Sequence, residues 1–137
     1  MQAKTHLALN PRLCGSPREL AKDRAVLELT TRPEMAADSQ GLVHGGFVFG
    51  LADAAAMLAI NEPNVVLGSA ETRFLAPVVL GETLLATATV TMVEGKKHFV
   101  EVDVTRERSG AVPDQVLKGT FVCFVPAQHV LAQRGQP

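Results

Sequence analysis

The chain has 137 residues, with 13 basic and 14 acidic side chains, a net charge of −1, 47% hydrophobic residues and 20% charged. That length gives one domain able to bury a core, and the composition excludes disorder as a description of the whole chain. A near-neutral balance with six Phe and no Trp or Tyr excludes an electrostatic grip on nucleic acid or an anionic membrane, and excludes a base-stacking surface.

Residues 1–22 mix Pro11, Gly15 and Pro17 with charges and carry little apolar pattern. They are expected to form an N-terminal arm, irregular or with a short helix, packed on a domain of residues 23–127. This stretch lacks the apolar core of a signal peptide, and no run reaches the ~18 apolar residues of a membrane span, so a cytoplasmic protein without a membrane partner is expected. Residues 25–31 read as a short strand, and 32–41, with Pro33, Asp38, Ser39 and Gly41, as a loop.

Residues 42–60 are rich in Ala, Leu and Met, which favours helix. The segment is apolar nearly all round, so the helix belongs inside the domain, wrapped by other elements. Asn61, Glu62, Pro63 and Asn64 end it. The rest reads as β. Residues 65–76 form one strand. Residues 83–93 alternate, with Leu84, Ala86, Ala88, Val90 and Met92 expected on one face and Thr87, Thr89 and Thr91 on the other. Glu94-Gly95-Lys96-Lys97 makes a hairpin turn. Residues 98–106 return with Val100, Val102 and Val104 on one face, residues 115–125 are the last strand, and 128–137 are a C-terminal tail. One strand, one long apolar helix and four antiparallel strands make an α+β domain. Helix and sheet can bury each other only if the curved sheet wraps the helix. The uncovered strand edges predict a dimer.

Cys14 and Cys123 have neither C-x-x-C spacing nor nearby His, so no metal site is expected and both read as free thiols. Between Ser39 and Asn61 the sole formally charged residue is Asp53, inside L-A-D-A-A-A-M-L-A-I. A carboxylate there costs several kcal/mol, of order 2–7, unless paired, hydrogen-bonded or protonated. It is either an acceptor across an oligomer interface or a general base or nucleophile with a raised pKa. His44-Gly45-Gly46 opens the same helix. Two glycines leave the first-turn N–H groups open to a ligand, where the helix dipole favours a developing negative charge, as in an oxyanion hole.

Gly46 and Asp53 lie on nearly the same helix face but about 10 Å apart along the axis. A reacting carbonyl must sit about 3 Å from its donor and from its attacking group, so one helix serves both roles badly. Two antiparallel copies across a dimer bring the glycines of one chain to the Asp of the other. A shared site follows.

The run G-L-V-H-G-G-F-V-F-G-L-A-D-A-A-A from Gly41 to Ala56, with R-F-L-A-P-V-V-L-G-E-T-L from Arg73 to Leu84, resembles the hotdog-fold acyl-CoA thioesterases, within them the phenylacetyl-CoA and 4-hydroxybenzoyl-CoA thioesterase branch. The resemblance covers residues 24–126. It implies a hotdog fold and hydrolysis of an acyl-CoA thioester to a carboxylic acid and free coenzyme A, with no cofactor. It also implies Asp53 as general base or nucleophile, the Gly45 N–H (or that of Gly46) polarising the carbonyl, and a homodimer or homotetramer with its active sites at the dimer interface. Two positions depart from the family pattern. Asp38 stands six residues before His44 where relatives have Asn or Gln, leaving Gln40 or Ser39 as the amide or hydroxyl donor. Leu67 stands where relatives carry Ser or Thr, and Ser69, two residues on, is expected on the same strand face. Arg73, Lys96 and Lys97 are candidates for holding the phosphates of coenzyme A. Phe47, Phe49, Phe74 and Phe99 read as core rather than acyl-pocket lining, though in a small domain they can be both, and His6 and His129 carry no signal. The rival readings are an acyl-CoA-binding hotdog protein that does not hydrolyse, a hotdog hydratase, for which no separate His and acidic pair is found, and a structural oligomer without a ligand.

Overall fold

The computed structural model describes residues 1–132. A short helix α1 (Pro11–Cys14) is followed by strands β1 (Ser16–Ala21) and β2 (Arg24–Thr30) and a 3-10 turn (Pro33–Met35). The long helix α2 (Gly45–Ile60) comes next, then β3 (Val66–Phe74), β4 (Thr83–Glu94), β5 (Lys97–Arg106) and β6 (Asp114–Phe124). All strands are antiparallel to their neighbours, in the order β1-β2-β4-β5-β6-β3. The sheet wraps α2, as the apolar character of that helix requires: the hotdog architecture.

Alternation sets the core. Leu27 and Leu29 of β2, Leu84, Ala86 and Ala88 of β4, and Val100, Val102 and Val104 of β5 point inward and are buried. They meet an almost fully buried stretch of α2 from Ala54 to Ile60. Alanines on both surfaces let the helix lie close to the sheet. Glu94 and Lys97 close a two-residue hairpin over Gly95, whose φ of 60° suits glycine. Asn61 ends α2 in the left-handed region, and its buried amide accepts from the Lys4 N–H at 2.7 Å and donates to the Gln2 carbonyl at 2.9 Å. The first residues of the chain are thereby tied to the end of α2.

Three features differ from the sequence reading. The arm contains a strand, β1, on the sheet edge, where Pro17 needs no donor and a register shift separates Pro17 from Glu19. Nothing in it is fully buried, so no alternation announces it. On β4 a bulge between Val90 and Met92 turns Met92 to the outer face, opposite Phe99 and 47% exposed, rather than inward with Leu84, Ala86 and Ala88. A second bulge, between Leu67 and Ser69 of the edge strand β3, has the same effect there. Residues 133–137 of the expected tail lie outside the described residues.

Candidate active site

Two loops fix the start of α2. The His44 N–H donates to the Met35 carbonyl at 2.9 Å, and the Val43 N–H donates to the Val78 carbonyl at 2.8 Å. Residues 75–82 thus form a strap from β3 to β4 that holds the segment entering the helix. Arg106, at the end of β5, pins the strap from below. Its guanidinium is buried, donates to the Pro77 carbonyl at 2.7 Å, and pairs with Glu82 at 3.2 Å and Asp114 at 2.9 Å.

His44 caps α2 in extended conformation (φ −62°, ψ 129°) without a side-chain capping bond. The Phe47 N–H returns to the His44 carbonyl at 3.0 Å, whereas the N–H groups of Gly45 and Gly46 have no acceptor among the described residues. The His44 imidazole lies against Gly46, where a Cβ would come 3.0 Å from the ring, and the Phe74 ring covers Gly45 at 3.3 Å from such an atom. Both glycines therefore let rings approach the helix start while leaving its donors free.

Asp38 lies in the loop ahead of this turn. Its Oδ1 accepts from the N–H of Gln40 at 2.9 Å and of Leu42 at 3.2 Å, closing an Asx turn. The carboxylate is exposed and spends one oxygen on its own loop, while Gln40 is exposed beside it.

Asp53 sits two turns into α2, half-buried, with Oδ1 cut off from solvent and without a hydrogen-bond partner among the described residues. Burial raises its pKa above the ordinary carboxylate value, and the charge of His6 partly opposes that. Cys123, buried on the inner face of β6, is pushed up to about 12 by burial and then by the Asp53 charge. His6, which carries no signal in the sequence, therefore stands close enough to Asp53 to act on its charge. The N-terminal segment held by Asn61 brings it to the Asp53 side of the domain, with Nδ1 bonded to Thr5 Oγ1 at 2.8 Å.

The helix start and Asp53 are eight residues apart on α2, about 12 Å along its axis. Phe74, over Gly45, pairs with Leu117 on β6, whereas Cys123, near Asp53, pairs with Leu67 on β3. Leu117 and Cys123 are six residues apart, about 20 Å of strand. His44, Gly45, Gly46, Asp38 and Gln40 are brought together; Asp53 is not added to them within one chain. Lys96 and Lys97 lie on the β4–β5 hairpin, at the Asp53 end, with Lys97 Nζ 6.0 Å from the Phe99 ring centre and 5.8 Å from that of Phe124.

Ser69 does not share the face of Leu67. The bulge at Gly68 pairs Leu67 with Cys123 inward and Ser69 with Val122 outward, and the Phe124 ring fills the space where a Cβ on Gly68 would stand, at 2.3 Å. Arg73 is also on the outer face, opposite Lys118. The inward positions along this edge are instead Ala70, Thr72 and Phe74, of which the sequence singles out only Phe74. The glycine inside the strand pattern is the available signal. Phe74, expected in the core, is 56% exposed.

A groove of about 250 Å³ opens beside Gly45 between the helix start, the end of β3 and the strap. No helix is long and apolar enough to cross a membrane among the described residues.

A family model described as the thioesterase superfamily matches residues 40–112. The crystal structure of an uncharacterized protein from Pyrococcus horikoshii is similar at 49% identity and a TM-score of 0.90, over 96% of this chain and 97% of that one. Among curated proteins, 121 residues are 43% identical to part of a methylthioribose-1-phosphate isomerase from Aquifex aeolicus, covering 88% of this chain and 25% of that protein. A further 27% identity over 93 residues links the chain to the transcription factor FapR from Caldanaerobacter subterraneus, over 68% of this chain and 44% of the factor. The chain thus spans about a quarter and less than half of these two curated relatives.

Proposed function

The chain belongs to the thioesterase superfamily, and from that premise we propose that it hydrolyses acyl-CoA thioesters at a site shared between two copies of itself. The observation that carries this reading is Asp53, a carboxylate oxygen buried without a partner among the described residues, in an otherwise apolar helix. A purely structural helix gains nothing from such a group, whereas a base or nucleophile needs its raised pKa.

The edge strand supports the shared site. β3 has no neighbour on its outer side, and Ala70 is its central residue. An antiparallel copy paired about Ala70 sets Phe74 of one chain opposite Val66 of the other. The Gly45 end of one chain then meets the Asp53 end of its copy, closing the gap that one helix leaves. Lys96 and Lys97 travel with that Asp53 end and are the first candidates for phosphate contacts. Arg73 and Lys118, adjacent and without an ion pair among the described residues, are a second candidate pair on the outer face.

In this mechanism the Gly45 N–H, helped by that of Gly46 and by the helix dipole, polarises the thioester carbonyl. Water activated by Asp53, or Asp53 itself, adds to the carbonyl carbon, and the oxyanion rests on the Gly45 donor. Collapse breaks the C–S bond. The thiolate leaves without a strong acid and takes up the proton that Asp53 accepted, or, after direct attack, water hydrolyses the acyl-enzyme. His44 shields the helix start, and Asp38 shapes the loop.

The test is thiol release from a panel of acyl-CoA substrates. Asp53→Asn should lower turnover at least about 100-fold, the usual scale for losing a base, while coenzyme A still raises the melting temperature. Near wild-type turnover in the variant refutes the assignment. The match to a transcription factor favours one second reading, a sensor that binds acyl-CoA without cleaving it. Binding without thiol release from any substrate would select that reading.

A further inference from the structure

The groove beside Gly45 opens directly in front of a free backbone donor. Leu42 from the loop before α2, Val48 in its first turns, Phe74 and Leu75 at the end of β3, and Pro77 and Val78 from the strap line it, with Gly45 among them. A thioester whose carbonyl oxygen rests on the Gly45 N–H has its acyl carbons next to this space.

The lining side chains are all hydrocarbon. Part of the nearby main chain is engaged as well. The Leu75 N–H donates to the Val116 carbonyl at 2.8 Å, and the Val78 carbonyl accepts from the Val43 N–H at 2.8 Å. Pro77 has no N–H, and its carbonyl is taken by Arg106 at 2.7 Å. A hydroxyl or carboxylate carried into the groove would leave water and meet no polar side chain.

Resting on the hydrolytic reading above, we propose that this groove is the acyl subsite and that it selects unsubstituted acyl groups of medium length over hydroxylated or carboxylated ones. The volume of about 250 Å³ holds roughly six to eight carbons at about 30 Å³ per heavy atom. The Phe74 ring, which packs over Gly45 and is otherwise 56% exposed, forms one wall of it, so its removal enlarges the groove.

Matched pairs test this. Hexanoyl-CoA is compared with 6-hydroxyhexanoyl-CoA and with adipyl-CoA, which keep six carbons and add one polar group. The polar partners should show kcat/KM about 10- to 100-fold lower, the effect of leaving one buried polar group unpaired. In a series from acetyl-CoA to palmitoyl-CoA, kcat/KM should peak near hexanoyl to octanoyl, and Phe74→Ala should move the peak at least two carbons longer. Equal or better use of the polar partners, or a peak unmoved by Phe74→Ala in a folded variant, overturns the proposal. Calorimetry with the uncleavable thioethers of the same acyl chains separates this outcome from failure of the hydrolytic reading. A preference of the same size in binding without any thiol release supports the subsite and refutes hydrolysis. Hydrolysis without preference does the reverse, and absence of binding refutes the subsite.

Discussion

Replacing Gly45 by proline removes one N–H and sets a ring carbon in its place. Gly45 is the first residue of α2, where proline is well tolerated because that N–H has no helical acceptor. His44 already has the extended conformation (φ −62°, ψ 129°) required of a residue before proline. The new Cβ would stand 3.3 Å from the Phe74 ring, which needs to give by only a few tenths of an ångström. Stability should therefore change by no more than about 1 kcal/mol. Turnover should fall by about 10²- to 10³-fold, as for loss of one oxyanion donor. Gly45→Ala is the control: it makes the same contact with Phe74 but keeps the N–H, and should stay within about tenfold of the wild type, under the about 1.4 kcal/mol that tenfold represents. Thiol release from hexanoyl-CoA reads the chemistry, and circular dichroism and thermal melting read the fold. Mixing the Gly45→Pro chain with the Asp53→Asn chain adds the geometry. With free exchange half the dimers are mixed and one of their two sites is intact, so activity should recover to about one quarter of wild type. Equal losses in the proline and alanine variants would assign the defect to Phe74 rather than to the N–H. No recovery on mixing, with exchange verified, would refute a site shared between chains.

Asp53 also ties activity to pH and stability. Its folded pKa is raised by burial, so it favours folding below its unfolded pKa and loses that contribution as pH rises through the folded value. Asp53→Asn should accordingly raise the melting temperature at neutral pH, with the gain shrinking on acidification, while the acid limb of wild-type kcat/KM lies above the ordinary carboxylate range. Asp38→Asn should leave turnover unchanged or raise it, because an amide oxygen can accept the same two bonds from Gln40 and Leu42 and its NH₂ adds a donor. A loss of about 10²-fold, the scale of a catalytic group, would instead make Asp38 the base. Arg106→Met should cost about 1–3 kcal/mol in denaturant unfolding, less than a fully buried pair because Glu82 and Asp114 keep 26% and 40% of their exposure. Asp114, held below its ordinary pKa chiefly by Arg108 and then by Arg106, contributes stability that is lost as pH falls through its folded value. That acid sensitivity should diminish in Arg106→Met, and an unaltered pH profile would refute the coupling.

The parts of the molecule legible in its sequence are those in which one residue contradicts its surroundings or a strict period is kept. Asp53 stands out as a charge in an apolar helix, and the structure places one of its oxygens out of reach of any partner among the described residues. The strands facing α2 are legible because burial on one side enforces a period of two, as Val100, Val102 and Val104 show. β1 escapes because an exposed edge imposes no such period. Met92 and Ser69 escape because a bulge breaks the period locally while the composition still looks like strand. The position of His6 is illegible for another reason. It depends on Asn61 gripping Gln2 and Lys4 across more than fifty residues of sequence, a contact that no local pattern encodes.

The β3 bulge bears on function because it decides which side chains the open edge presents. In a regular strand without the bulge at Gly68, Leu67 and Ser69 would point the same way, and a hydroxyl would sit on the inner face. With it, the inner face toward the edge carries Ala70, Thr72 and Phe74, while Ser69, Glu71 and Arg73 face outward. The inner edge is thus mostly apolar and small at its centre, where a copied strand would approach. Gly68 is held to this arrangement by the Phe124 ring, since a Cβ there would stand 2.3 Å away. The apolar groove at Gly45 begins where this edge ends, at Phe74. One glycine in a strand therefore governs both the face offered to a second copy and the polarity of the space in front of the oxyanion donor.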